Sequence, residues 1–202
     1  MKQLLLVGIF NLLLWKISAQ VNTYTEDINN FRSQNWIGLI KDPRTTLVAG
    51  DSIYLAYFPI KEKNKVYCKV ELLDGQESFD MPTYSGQLKS FRKYARLAFV
   101  WRGKNLHLFA YQSFQLITNP VYKDYLFIPF KDLTSGKQTY SGGRYIDIKM
   151  GQIQNGTMIL DLNQVYNPWC AYSDGYNCPI PPSENNLLVK LKCGEKMFRK
   201  KH

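Results

Sequence analysis

The sequence predicts an all-β protein, a mainly antiparallel sandwich or barrel, preceded by one amphipathic helix. Three observations predict it. From Thr45 onward, short apolar or alternating runs follow one another with turn formers between them. Aromatic side chains reach 14% of the chain, with Tyr the commonest of them, and such rings favour pleated, half-buried surfaces. Helical spacing of apolar residues, by contrast, stands out once, near the N-terminus. The 202 residues, 45% of them apolar, suffice for one packed domain, expected over residues 20–202.

The first nineteen residues read as a secretory signal. Lys2 supplies the positive start, Leu4 to Trp15 an apolar run, and Ile17-Ser18-Ala19 a cleavage site before Gln20. The run falls short of the roughly 20 residues that cross a bilayer as a helix, so no integral membrane segment is expected once the signal is removed. The predicted destination is exported: periplasm, cell envelope or medium.

Thr23-Tyr24-Thr25-Glu26 has the form of a capping box, and Tyr24, Ile28, Phe31, Trp36 and Leu39 recur at near-helical spacing. A helix ending before Pro43 follows. Strands are then expected at Ser52 to Ile60, Lys65 to Leu73, Tyr94 to Trp101, Asn105 to Gln112, Tyr125 to Phe130, Arg144 to Gln152, Thr157 to Asn163 and Leu187 to Lys192. Asp74-Gly75, Arg102-Gly103-Lys104 and Asn155-Gly156 supply hairpin signals. Pro129 marks a strand end or sheet edge, because proline gives no N–H to a ladder.

An exported chain permits disulfides. Cys170 and Cys178 share one polar, turn-rich loop and are expected to pair, whereas Cys68 and Cys193 could pair across a sheet or remain buried thiols. The net charge of +10 is scattered or gathered in the terminal Arg199-Lys200-Lys201-His202, which reads as a solvated tail rather than a nucleic-acid site. His107 alternates within an apolar strand and reads as structural. With two histidines, no HExxH, no GxSxG, no GxxxxGK and no paired CxxC, neither a metal site nor a cofactor is expected.

Two loops remain. Thr139-Tyr140-Ser141-Gly142-Gly143-Arg144 approaches a strand with a flexible Gly pair followed by a planar guanidinium suited to a carboxylate or phosphate. Arg144 could equally pair with Asp132, Asp161 or Glu184 and pin the loops. The second loop runs from Asp161 and Asn163, which share a sheet face, through Tyr166-Asn167-Pro168-Trp169-Cys170 to Cys178-Pro179-Ile180-Pro181-Pro182 and Glu184-Asn185. Its prolines and disulfide would preorganise a site or simply stiffen the loop. The candidate ligand-binding residues are Tyr140, Arg144, Asp161, Asn163, Tyr166, Asn167, Glu184 and Asn185. Asp161 and Glu184 are the candidate catalytic pair.

FKDLTSGKQTYSGGRYID, LDLNQVYNPWCAY and CPIPPSENNLLVKLKCGEK resemble the motifs of domain of unknown function family 1684, a group of bacterial and archaeal proteins, many with export signals. The match covers Phe127 to Glu195. Leu162 stands where an aromatic is usual, Gln164 where a basic residue is common, and Cys193 where a small residue is expected. The resemblance implies that Cys170 and Cys178 belong to the shared pattern and that Cys193 is peculiar to this chain. It implies no activity. Three functions follow from the residues: a binding domain for a small anionic or polyhydroxylated ligand, a structural or partner-binding envelope protein, and a hydrolase using Asp161 and Glu184.

Overall fold

Alternation of side chains across a pleated strand places the two faces of this protein, and one sheet carries nearly all of it. The computed structural model describes residues 23–200, so the expected signal segment lies outside the described residues. Residues 23–41 form helix α1, whose less exposed side carries Tyr24, Ile28, Phe31 and Leu39, and which stops just before Asp42-Pro43. The backbone divides after Gly38, and everything that follows concerns the unit that begins at Leu39.

That unit is an eight-stranded, mostly antiparallel sheet that curves into a half-barrel. Its strands are β1 (Lys65–Leu72), β2 (Phe79–Pro82), β3 (Leu88–Trp101), β4 (Lys104–Ser113), β5 (Tyr125–Asp132), β6 (Arg144–Lys149), β7 (Thr157–Asp161) and β8 (Asn186–Leu187). The order is β6-β5-β4-β3-β1-β7, with β2 added to β3 and β8 to β5. The two ends approach each other where Tyr145 of β6 exchanges backbone hydrogen bonds with Tyr166, just beyond β7. No described helix is long and apolar enough to cross a membrane.

Four sequence expectations change. Pro129 stands neither at a strand end nor at a sheet edge but inside β5, between β4 and β6. Ser52 to Ile60 is not a strand: Ala49–Tyr54 is a 3-10 turn, and only Tyr57 bridges, to Glu195. Asp51 accepts the Val48 N–H at 3.0 Å, so the Gly50-Asp51 turn extends into the apolar run. Asp74-Gly75 and Asn155-Gly156 turn the chain without joining neighbouring strands. Asn155 and Gly156 take positive φ (51° and 70°) and close only Gln154 on Thr157, while β6 and β7 lie at opposite ends of the order. Leu187 to Lys192 keeps a strand's alternation, with Leu187, Val189 and Leu191 buried and Leu188, Lys190 and Lys192 exposed, yet only Asn186–Leu187 pairs.

The main core gathers Val66, Cys68, Leu97, Leu108, Leu126, Ile128, Ile146 and Leu160, with Leu191 and Cys193 packed among them. A bulge between Lys93 and Ala95 then switches the face of β3. Ala95 and Leu97 point into this core, whereas Phe91, beyond the bulge, joins a second cluster with Met81 and Tyr111. Burial at 25 cal/mol per Å² makes the larger cluster the dominant stabilising element, and the smaller one frames the site described next.

A buried network and an aromatic cleft

β6 reads Arg-Tyr-Ile-Asp-Ile-Lys, and its period of two decides the fate of the predicted site. Arg144, Ile146 and Ile148 face the main core; Tyr145 and Asp147 line a cleft on the other side. Arg144 is 1% exposed. Its guanidinium donates to the carbonyls of Leu191 (2.9 Å), Cys193 (2.5 Å) and Glu195 (3.1 Å) and stands 3.5 Å from the Asp132 carboxylate. Asp132 in turn accepts the Leu191 N–H at 2.5 Å and the Thr134 hydroxyl at 2.6 Å. The carbonyls reached are those of alternate residues. The guanidinium fork and the carboxylate therefore stand in for the strand that the C-terminal segment lacks, which explains its alternation without pairing.

Asn185, fully buried, does the same between β4 and β5. These strands pair at Tyr111↔Phe127, and one step further Pro129 has no N–H to offer Phe109. The Asn185 amide fills the place: its Oδ1 accepts the Phe109 N–H at 2.8 Å, and its Nδ2 donates to the carbonyls of Phe109 and Pro129 at 2.9 and 2.8 Å. Asn163 is also buried; its side chain accepts the Lys61 N–H and donates to the Lys61 carbonyl and to Asp161. Asn167 donates its backbone N–H to the buried Glu195 carboxylate (2.9 Å) and its side-chain N–H to the Lys196 carbonyl (2.7 Å). Tyr172 donates to the other oxygen of Glu195 at 2.5 Å. Sequence reading passed over Glu195 as a network member because nothing in Gly-Glu-Lys signals burial.

Glu184 accepts from the Tyr111 hydroxyl at 2.6 Å and pairs with Lys93 at 2.7 Å, while Asp161 serves Asn163. The two carboxylates meet different partners, Tyr111 and Lys93 for Glu184 and Asn163 for Asp161. Tyr140, half-buried, donates to the Cys170 carbonyl at 3.3 Å. The glycines between them are needed for space. Gly143 has φ of 95°, and a Cβ there would lie 2.7 Å from the Phe130 carbonyl. None of Tyr140, Arg144, Asp161, Asn163, Asn167, Glu184 or Asn185 lines the large cleft; Tyr166 does.

That cleft has a volume of about 680 Å³ and lies between the outer face of β5 and β6 and the loop closed by the Cys170–Cys178 disulfide. Its floor is a chain of rings. Phe91 stacks on Phe127 at 5.8 Å, Phe127 meets Tyr145 edge-on at 4.7 Å, and Tyr145 meets Tyr166 at 5.9 Å. One wall is Trp169 against Tyr176, 5.2 Å apart, and another is Tyr122 against Tyr125. The disulfide loop is anchored by the Tyr145 hydroxyl on the Pro179 carbonyl (2.5 Å) and by Ile180 and Tyr84 N–H groups that bond across to β2 and Cys178. Cys68 and Cys193 are free and buried, and burial pushes both thiols up to about 12.

Asp147 is the carboxylate of this cleft. Solvent reaches it through the mouth, but the protein around it removes much of its water and raises its pKa to about 6; the Tyr166 hydroxyl, donating at 2.7 Å, opposes the rise. Burial also drives Tyr166 well above its ordinary pKa, so it remains a hydrogen-bond donor. Arg44 lines the mouth but is committed to Asp42 through two bonds of 2.8 Å, and lies over the Tyr176 ring. Lys89, half-buried, has its pKa lowered by desolvation and then by Arg44. Among the described residues no group of three or more His, Cys, Asp or Glu could hold a metal ion. Asp147 was missed because its significance lies in tertiary company, although the alternation of β6 separates it from Arg144 in the sequence itself.

Residues 53–196 match the family described as protein of unknown function DUF1684. The chain belongs to that family. The solution NMR structure of an uncharacterized protein from Haloarcula marismortui is 28% identical, covering 85% of this chain and 96% of that one with a TM-score of 0.60. No curated protein matches the chain. Family membership brings no activity with it, and the chemistry has to be argued from the side chains.

Proposed function

We infer that this DUF1684 member is an exported binding protein whose cleft takes a small polyhydroxylated ligand. The observation that carries the reading is the aromatic floor Phe91–Phe127–Tyr145–Tyr166 joined to the Asp147–Tyr166 hydrogen bond in one open cleft. Ring faces pack against the C–H faces of such a ligand, and a few placed polar groups orient its hydroxyls. A carboxylate accepts from hydroxyls and repels anions; Arg44 is neutralised by Asp42, and Asp147 balances the charge of Lys89, whose protonated form desolvation disfavours. A polyhydroxylated ligand therefore fits better than an anionic one. The Asn167–Glu184 loop contributes as wall, through Trp169 and Tyr176, and the Gly142–Arg144 loop as support. Export rests on the leader-like first nineteen residues and on the disulfide beside the cleft.

The test is calorimetric titration and thermal shift with a panel of mono- and oligosaccharides, set against simple organic anions. A saccharide should bind, and Trp169→Ala and Asp147→Asn should each weaken it about tenfold, near 1.4 kcal/mol. Loss of no affinity in either variant, or binding confined to anions, would overturn the assignment. A second reading, a structural envelope protein, draws on the Arg144 network. It predicts normal folding and assembly for both cleft variants and no ligand shift in the panel.

A further inference from the structure

The aromatic cleft holds one carboxylate that the rest of the chain leaves without a counter-charge. Asp147 lines the cleft and is exposed to it, its hydrogen bond comes from Tyr166, and no ion pair reaches it among the described residues. Other carboxylates on the same sheet are paired: Glu184 with Lys93 at 2.7 Å and Asp124 with Lys149 at 3.9 Å. Lys149 stands two residues beyond Asp147 on β6, yet it is turned to Asp124 and lies 5.1 Å from the centre of the Tyr125 ring. Lys89 lines the same cleft, but the charge acting on it is that of Arg44, while burial and Tyr166 act on Asp147. The two charges stand apart.

Three rings adjoin that carboxylate. Phe127 is its cross-strand partner on β5, Tyr145 precedes it by two residues on the same face of β6, and Tyr166 donates to it at 2.7 Å. The rings also touch one another, Phe127 to Tyr145 at 4.7 Å and Tyr145 to Tyr166 at 5.9 Å. An aromatic face is the negative side of a quadrupole, and an ionised carboxylate beside it adds a full negative charge. A neutral hydroxyl uses the carboxylate as an acceptor but leaves its charge uncompensated in a partly desolvated place. A protonated amine meets both, with a charge-assisted hydrogen bond to the carboxylate and a cation–π contact with a ring. The field of the whole chain gives no such preference, because its net charge of +10 repels cations at long range. Any selection of an amine here is local.

We propose that the polyhydroxylated ligand of this cleft carries a protonated amino group, seated on the Asp147 carboxylate among Phe127, Tyr145 and Tyr166, so that it is an amino sugar rather than a neutral or acidic one. The proposal rests on the reading of the cleft as a saccharide site and adds to it the group that Asp147 selects. The sugar ring then lies along the floor from Phe127 towards Phe91, where the rings stack at 5.8 Å. Acetylation of the amine removes its charge and with it the preference.

The experiment compares three β-1,4-linked disaccharides that differ at C2: cellobiose with a hydroxyl, chitobiose with a free amine, and the N,N′-diacetyl form of chitobiose. Each is titrated calorimetrically into the wild-type protein and into Asp147→Asn at pH 6.5 and low salt. Chitobiose should bind the wild type at least about tenfold more tightly than either neutral disaccharide, and the margin should shrink as salt is added. In Asp147→Asn the neutral disaccharides should weaken about tenfold and chitobiose about a hundredfold, which removes the margin. Equal affinity of chitobiose and cellobiose for the wild type, or a margin that survives in Asp147→Asn, overturns the amine proposal and leaves the saccharide reading standing. Binding of neutral saccharides without chitobiose has the same meaning. Absence of binding by every saccharide overturns the underlying reading and the proposal with it.

Discussion

Arg144 and Asp147 sit three residues apart on one strand and lead opposite lives. Arg144 faces the core, directs its two terminal nitrogens to three backbone carbonyls and a carboxylate, and is closed to solvent. Asp147 faces the cleft, has one protein hydrogen bond from Tyr166, and keeps acceptor capacity open to whatever enters. The difference teaches that neighbouring residues of one Gly-, Tyr- and Arg-rich motif can be divided by the strand's alternation between a closed internal network and an open cleft. In this fold the network residues mainly replace missing backbone partners: Arg144 and Asp132 for the C-terminal segment, Asn185 for the N–H that Pro129 cannot give. The recognisable motifs build the walls. The cleft takes Tyr145, Asp147, Tyr166, Pro168, Trp169, Cys178 and Pro179 from those motifs and Arg44, Lys89, Phe91 and Phe127 from elsewhere in the chain.

The comparison breaks first at Arg144. Arg144→Ala leaves three carbonyls and the buried Asp132 carboxylate without their donor, and stability should fall by about 3–5 kcal/mol, the cost of removing one partner of a buried ion pair. Arg144→Lys should rescue little, because a single ammonium cannot span alternate carbonyls. Urea unfolding of both variants measures this. A loss below about 1 kcal/mol would show that the network is not holding the C-terminal segment. Next in size is the disulfide. Cys170→Ser with Cys178→Ser opens a short loop worth ~2.5 kcal/mol by chain entropy, and the variant should lose that stability together with cleft affinity, since the loop carries Trp169 and Tyr176. Unchanged affinity with reduced stability would detach that wall from ligand binding. Asn185→Ala should cost about 1–3 kcal/mol by leaving the Phe109 N–H unpaired in a dry place.

Much of the fold was legible because it depends on period and turns. The runs from Lys65, Asn105, Tyr125 and Thr157 are strands close to where alternation put them, and α1 ends before Pro43 as its spacing required. Ser52 to Ile60 misled because an apolar run says that a segment is buried, not that a strand edge awaits it. Leu187 to Lys192 misled in a subtler way. Its inward face was right, but beyond Leu187 its hydrogen bonds go to the Asp132 and Arg144 side chains and to the single N–H of Leu133, which no local pattern encodes. Of the residues singled out in the sequence, Tyr166 lines the cleft, Cys170 and Cys178 pair as their shared loop suggested, and the pairing of Arg144 with Asp132 was one of the alternatives the residues allowed. The cleft was not, because Lys89, Phe91, Tyr125, Asp147 and Tyr176 come from separate strands and a loop and meet only when the sheet curves. The alternation of β6 alone would have set Arg144 with Ile146 and Ile148, and so have moved attention to Asp147.

The smallest expected effect is the sharpest test of the open side. Asp147 has its pKa raised from the ordinary 3.8 to about 6, first by burial. Between those values the folded protein holds a proton that the unfolded chain has released, so stability declines as pH rises through the window. The destabilisation is fully present above the folded value and gone below the unfolded one. Because water in the cleft screens the carboxylate, its size should be about 1 kcal/mol or less. Asp147→Asn, which keeps an acceptor for Tyr166, should match the wild type near pH 4, exceed it slightly at pH 7, and lack the decline between. Urea midpoints across pH 3.5 to 7.5 would read this, and parallel curves for the two proteins would place Asp147 outside the desolvated floor. If a bound saccharide depends on the carboxylate, its wild-type affinity should fall as pH drops below 6, opposite in sign to the stability change. A structural group would move stability alone, whereas a ligand-facing group moves both in opposing directions.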